Sequence, residues 1–147
     1  MKRVLVALDR TEAAEAVLPA VKALAGAGAT VRLVHVAPLP DNIVGTDGHL
    51  IAYSDQETAR MEAEWLDYCS AIEARDQLGA ETAIRFGDPA EGILAEALDF
   101  GADTIVVTTG TRLAIRRVLF GSVAEALVKR ASAAVMVYRP QDTEYAP

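Results

Sequence analysis

A chain of 147 residues with 52% hydrophobic content has the length of one domain and can bury a core without a metal or disulfide staple. Fourteen basic against 21 acidic residues give a net charge of −7, a field that repels phosphate backbones and anionic lipid and so argues against nucleic acid as a partner. Cys69 is the single cysteine, and no apolar run approaches the roughly 18–20 residues that span a bilayer. With an acidic residue interrupting the N-terminal run MKRVLVALDR, no secretory leader and no membrane contact are expected, and a reducing, cytoplasmic setting follows.

Val4 to Leu8 is a short apolar run ending at Asp9, and Ala14, Val17, Leu18, Val21 and Leu24 then fall at the spacing of one helix face, predicting strand, turn and helix over Thr11 to Ala25. Val31 to Val36 predicts a second strand, followed by a Pro- and Gly-punctuated loop from Ala37 to Tyr53. Ser54-Asp55-Gln56-Glu57 has the form of a capping box and predicts a helix to about Gln77, with Met61, Trp65, Tyr68 and Ile72 on its buried face. Glu81 to Phe86 predicts a third strand. Gly87-Asp88-Pro89 reads as a turn, a cap and a first-turn proline, opening a helix that runs to Phe100 and ends at Gly101. Thr104 to Val107 predicts a fourth strand, Thr108 to Phe120 a loop, Ser122-Val123-Ala124-Glu125 a second capping box opening a helix, and Ala134 to Tyr138 the last strand.

Strands alternating with helices imply an α/β fold: a Rossmann-like, doubly wound, five-stranded parallel sheet with helices on both faces, formed by residues 1–147 as a single domain. Ligands of such sheets lie beyond the carboxyl ends of the strands, where strand order reverses. Asp9, Val36 and the loop after Val107 occupy those places.

The order of Val4-Leu5-Val6-Ala7-Leu8-Asp9, Leu33-Val34-His35-Val36, Gly87-Asp88-Pro89, Ile105-Val106-Val107 and Gly121-Ser122-Val123-Ala124-Glu125 over nearly the whole chain resembles the universal stress protein family. The resemblance implies an adenine nucleotide α-hydrolase-like sheet and, in one branch, ATP with its magnesium held across the strand ends. That branch carries Gly-x2-Gly-x9-Gly-(Ser/Thr) after the fourth strand. Aligned without gaps, its first two glycines fall on Thr108 and Thr111, and only Gly121 and Ser122 match; a gapped register using Gly110 shortens the loop and still leaves the second glycine unmatched. Threonine is β-branched and a poor occupant of positive φ, so the loop is expected to differ, although its hydroxyl still donates to phosphate.

The resemblance implies an adenosine contact for Asp9, whose other reading is a helix cap or solvated turn, and a backbone contact with adenine for Val36, whose other reading is a strand-end core residue. Ala7 and Val123 flank these positions and belong to the implied site. Gly121-Ser122 opens a helix whose free amides favour an anion, beside the capping-box reading. Arg112 aligns with a basic family position, whereas Arg116 and Arg117 also fit a solvated loop or surface salt bridges. His35 is expected in the core, His49 stands apart from any metal-spaced cluster, and Cys69 reads as a buried apolar residue.

No nucleophile with its base is recognisable, which predicts a stress-response binding or regulatory protein rather than an enzyme. A protein-interaction module that binds no ATP is the alternative, and a slow ATPase or phosphotransferase a further one. The apolar last strand, Ala134 to Tyr138, sits at the sheet edge of the implied fold and predicts a homodimer paired through it, with other protein partners unknown.

Overall fold

The computed structural model describes residues 1–40, 43–44, 50–52, 54–108 and 121–140. In chain order the elements are β1 (Arg3–Ala7), α1 (Glu12–Glu15), α2 (Leu18–Gly26), β2 (Thr30–Ala37), β3 (Ile43–Val44), β4 (Leu50–Ala52), α3 (Ser54–Asp76), β5 (Glu81–Phe86), α4 (Pro89–Phe100), β6 (Thr104–Thr108), α5 (Ser122–Arg130) and β7 (Ala134–Tyr138). Each of the five predicted strands has become a strand of one sheet, in the order β5-β2-β1-β6-β7. All four neighbouring pairs are parallel. The chain winds outward from β1 through β2 to β5 and then returns to β6 on the other side of β1, so the order reverses between β1 and β6.

Period-two alternation sends successive side chains of β1 to opposite faces. Val4, Val6 and Leu8 join Ala14, Val17, Val21, Trp65, Cys69 and Ile72 in one core layer, against α1, α2 and α3. Leu5 faces the other way into a layer with Ile93, Ala97, Phe100 and Leu127 of α4 and α5. Val4, Leu5 and Val6 are all at 0% exposure, each contributing about 1.5–3 kcal/mol relative to an exposed side chain. Between the layers and solvent sits one buried carboxylate: Glu96 accepts from Arg32 at 2.6 Å and from Arg85 at 2.8 Å.

The signals around α4 act as the sequence predicts. Asp88 accepts from the Glu91 amide at 2.9 Å, Pro89 stands in the first turn, and Gly101 closes the helix in the left-handed conformation at φ 71°. Elsewhere the structure departs from expectation. The first helix is broken: Pro19 lacks the N–H that would reach the carbonyl of Glu15, and the chain tightens there through Ala16 N–H to Ala13 O and Val17 N–H to Ala14 O.

The stretch after Ala37 is not all loop, since β3 and β4 pair antiparallel with a register shift, and two and three residues are too few to show a period. The capping box at Ser122 does not take the expected form, and the Ser54 side chain lies outside the described residues. Ser54 is the first helical residue of α3, and the carboxylate of Glu57 accepts from Arg60 at 2.8 Å. In α5 the cap residue is Gly121, one position earlier than expected, and Glu125 accepts from Lys129 at 3.0 Å. The first turn of α5 therefore carries no side-chain cap. No helix among the described residues is long and apolar enough to cross a membrane.

Candidate functional site

At the carboxyl ends of β1, β2 and β6 lies a cavity of about 320 Å³, at the small end of the roughly 300–1,000 Å³ typical of ligand clefts. Of the residues singled out in the sequence, Ala7, Asp9, Val36, Thr108, Gly121, Ser122 and Val123 all line it. Thr111 and Arg112, with Gly110, Arg116, Arg117 and His49, lie outside the described residues. The walls are completed by Leu8, Val34, His35, Pro89, Ile93, Val107 and Ala124, largely apolar.

Asp9 is exposed in the turn after β1 and does not cap α1 itself. Its Oδ1 accepts from the Thr11 amide at 3.0 Å and the Thr11 hydroxyl at 2.6 Å, and Thr11 Oγ1 in turn accepts from the Ala14 amide at 3.1 Å. Thr11 is the cap, and Asp9 holds the cap in place. Arg10, between them, takes φ 70°, a left-handed conformation costing a non-glycine residue about 1–2 kcal/mol. Its guanidinium lies 3.6 Å from Glu64 and 5.7 Å from the Tyr68 ring, which ties the strained turn to α3.

Val36 brings its backbone rather than its side chain. A strand residue turns N–H and C=O to the same side, and alternate residues share that side. Val34 C=O accepts from Leu8 N–H at 2.9 Å, and Thr30 N–H reaches Lys2 O at 2.8 Å, so the even-numbered residues of β2 face β1. Ala37 C=O, accepting from Gly87 at 2.8 Å, faces the β5 side. Val36 therefore presents N–H and C=O toward β1 at a level where β1 has ended. The next ladder bond would run from Val36 N–H to Leu8 C=O, and among the described residues it is not made. Leu8 C=O is held instead by the Nδ1 of His35 at 2.9 Å.

His35 is thus not a core residue as its sequence position suggested. It is half-buried at the cavity wall, with its ring 5.5 Å from that of Trp65, which in turn stacks on Tyr68 at 5.6 Å. A carbonyl only accepts, so Nδ1 carries the proton. Further along this relay, burial and a hydrogen bond to Glu15 raise the Tyr68 phenol above its ordinary range. Burial pushes the Cys69 thiol up to about 12.

Thr108 also behaves differently from expectation. It is a β6 residue in register with Tyr138, and the non-glycine residues at positive φ among those described are Arg10 and Gln77. At this first glycine-matched position an extended β-branched residue is suited to its place. Across the cavity, the uncapped start of α5 at Gly121–Val123 supplies amide donors and the positive end of a helix dipole. Neither Lys nor Arg is among the described lining residues, and no group of three or more His, Cys, Asp or Glu that could hold a metal is gathered among the described residues.

The model of the universal stress protein family matches residues 1–139. The chain belongs to the universal stress protein family. No protein among the curated sequences gives a match. Among solved structures, the universal stress protein UspA from Lactobacillus plantarum is similar at 23% identity and TM-score 0.69, over 94% of this chain and 97% of that one. A universal stress protein in complex with cAMP is 19% identical, TM-score 0.64, over 95% and 98% of the two chains. The Archaeoglobus fulgidus universal stress protein in complex with dAMP is 22% identical, TM-score 0.59, over 93% and 97%. At these identities the likeness is one of fold, and it covers the universal stress protein domain almost end to end.

Sequence reading missed Leu8, Val34, His35, Pro89, Ile93, Val107 and Ala124 as wall residues. Pro89 and Ile93 follow from where α4 starts relative to β2. The signal for His35 was its place beside Val36 at a strand end: a side chain one residue before the ligand-facing backbone is well positioned to touch the neighbouring strand's terminus.

Proposed function

We propose that this universal stress protein is a stress-response binding protein that takes an adenine nucleotide, ATP with its magnesium or a smaller adenosine phosphate, into the crevice at the ends of β1, β2 and β6. The observation carrying this reading is that Val36, with its backbone N–H unpaired among the described residues, and the uncapped start of α5 face one cavity. The N–H and C=O of Val36 suit the donor–acceptor edge of a heterocyclic base. Asp9, with one oxygen committed to Thr11, suits a ribose hydroxyl, and the amides of Ser122 and Val123 suit a phosphate oxygen. Apolar contacts from Val34, Ile93 and Val107 suit the planar base between them. Two proteins of the same fold carry cAMP and dAMP.

The reading is of binding rather than turnover, in the cytoplasm. The ionisable groups at the crevice are engaged in holding structure, Asp9 with Thr11 and His35 with Leu8. The outer edge of β7, Ala134 to Tyr138, has no strand partner among the described residues, and its apolar residues support a homodimer paired through it. Sedimentation of a monomer at tens of micromolar, the scale of protein used, would contradict the dimer.

Calorimetric titration with Mg-ATP and AMP, with GTP as comparison, tests the ligand. Saturable, adenine-selective heat supports it. Thr108 and Thr111 in place of the motif glycines favour the second reading, a protein-interaction module without nucleotide. No heat and no thermal stabilisation with either adenine nucleotide would select that reading.

A further inference from the structure

The end of the β1–β2 ladder carries a side-chain contact. In a parallel ladder, Leu8 N–H to Val34 C=O is followed by Val36 N–H to Leu8 C=O, and the register Ala7↔Val34 would simply advance to Leu8↔His35. The first of these bonds is present at 2.9 Å, the second is not made among the described residues, and His35 Nδ1 donates to Leu8 C=O at 2.9 Å. Backbone amides rarely stay unpaired where a partner is near. A carbonyl has two lone pairs, so the imidazole of the intervening residue can keep Val36 N–H off this oxygen only by drawing the oxygen toward itself.

We infer that His35 is a positioning residue that terminates the ladder at Ala7 and thereby reserves the Val36 N–H, with its C=O, for the base edge of a ligand. The role rests on the nucleotide-binding reading for its purpose, although the competition between imidazole and amide for one carbonyl exists without ligand. Trp65, tilted against the His35 ring with centroids 5.5 Å apart, and the Thr11–Asp9 bonds at the far side of Leu8 keep the two competitors in place. His35 does not itself need to touch the ligand; it acts by keeping Leu8 C=O away from Val36. This makes it selective for molecules that use a paired donor and acceptor, as an adenine edge does, over those that bind by shape or charge alone.

The test is amide hydrogen exchange resolved at Val36 and Leu8 in nucleotide-free protein, for wild type, His35→Phe and His35→Asn. Phenylalanine keeps an aromatic ring against Trp65 and has no donor. Asparagine places an amide nitrogen where Nδ1 sits. In the wild type Val36 should exchange at least about tenfold faster than Leu8, whose N–H is bonded. In His35→Phe the ladder should lengthen by one bond, so Val36 slows by about tenfold or more, while His35→Asn keeps the wild-type pattern. A variant that merely loosened the structure would speed exchange instead. Equal protection of Val36 and Leu8 in the wild type, or no slowing of Val36 in a folded His35→Phe, overturns the inference; if that variant does not fold, the wild-type comparison decides alone. Adenine-nucleotide affinity is read separately: loss of about tenfold in His35→Phe with retention in His35→Asn supports the role. A wild type that binds no adenine nucleotide sinks the proposed function, leaving the exchange result to judge His35.

Discussion

Val36 sits on Gly92. A β-carbon at Gly92 would lie 2.7 and 2.8 Å from the two γ-carbons of Val36, so α4 approaches β2 as closely as it does because residue 92 has no side chain. Pleat alternation stands the Val36 side chain on the α4 face of the sheet, and its backbone edge is left toward the crevice. Gly92→Ala should cost about 1–3 kcal/mol, since a β-branched neighbour has little rotamer freedom with which to retreat. Val36→Ala removes the clashing methyls, so the double variant should be more stable than the sum of the two single losses. Urea unfolding of the four proteins measures this, and simple additivity would show that the contact does not control the approach.

Glu96 is the centre of a second expectation. At 6% exposure it is shared between Arg32 and Arg85, and the Nε of Arg32 is already buried without a partner. Breaking a fully buried pair costs about 3–5 kcal/mol, and the partial exposure of both arginines lowers the figure to about 2–3 kcal/mol for Glu96→Ala. Chemical denaturation provides the measurement. A loss within experimental error of zero would mean that Glu81, Asp99 and water already satisfy the two guanidinium groups.

Much of this architecture was legible in the sequence, and the places where it was not have local causes. The sheet strands other than β5 are apolar runs bounded by Asp, Gly or Pro, and α4 carries both of its end signals, Asp88 and Gly101. Ser122 was misplaced because a capping box read from letters does not say which residue leaves the strand-to-helix connection with extended φ and ψ, and here that is Gly121. The place of Asp9 and Val36 at the cavity followed from strand-end positions, whereas Ala7, Thr108 and Gly121–Val123 were implied by the family resemblance. His35 escaped because alternation points it toward Trp65, the direction of the core, while one ring nitrogen still reaches the end of β1.

Acid should weaken the fold partly through Asp103. Its carboxylate accepts from the backbone N–H groups of Arg3 at 3.0 Å and Lys2 at 2.7 Å, which holds it below the usual carboxylate range. A depressed folded value means fewer protons bound in the native state, so this contribution is complete above the unfolded value of about 3.9 and is lost as pH falls through the lower folded one. Asp103→Ala should therefore lower stability at neutral pH and flatten the acid limb of the stability curve. An unchanged acid limb would remove Asp103 from the account.

Cys69 should be chemically silent. Burial raises its thiol to about 12, so at pH 8 the thiolate is on the order of one part in ten thousand. Alkylation of native protein should run on the order of a thousandfold slower than that of a free thiol and recover on unfolding. Rapid stoichiometric labelling of the folded protein would show that α3 opens far more readily than its packing implies.

The central claim is that one crevice, walled by the Val36 backbone, the Asp9 turn and the start of α5, receives an adenine nucleotide. Amide chemical-shift mapping during titration with AMP and then Mg-ATP tests it most directly, because it reports where as well as whether. The account predicts saturable shifts at Val36, at Asp9 to Thr11 and at Ser122 and Val123, with GTP leaving the Val36 amide unmoved. An absence of shifts at millimolar nucleotide, a concentration at which even interactions of about 4 kcal/mol register, or shifts clustered away from these residues, would contradict it.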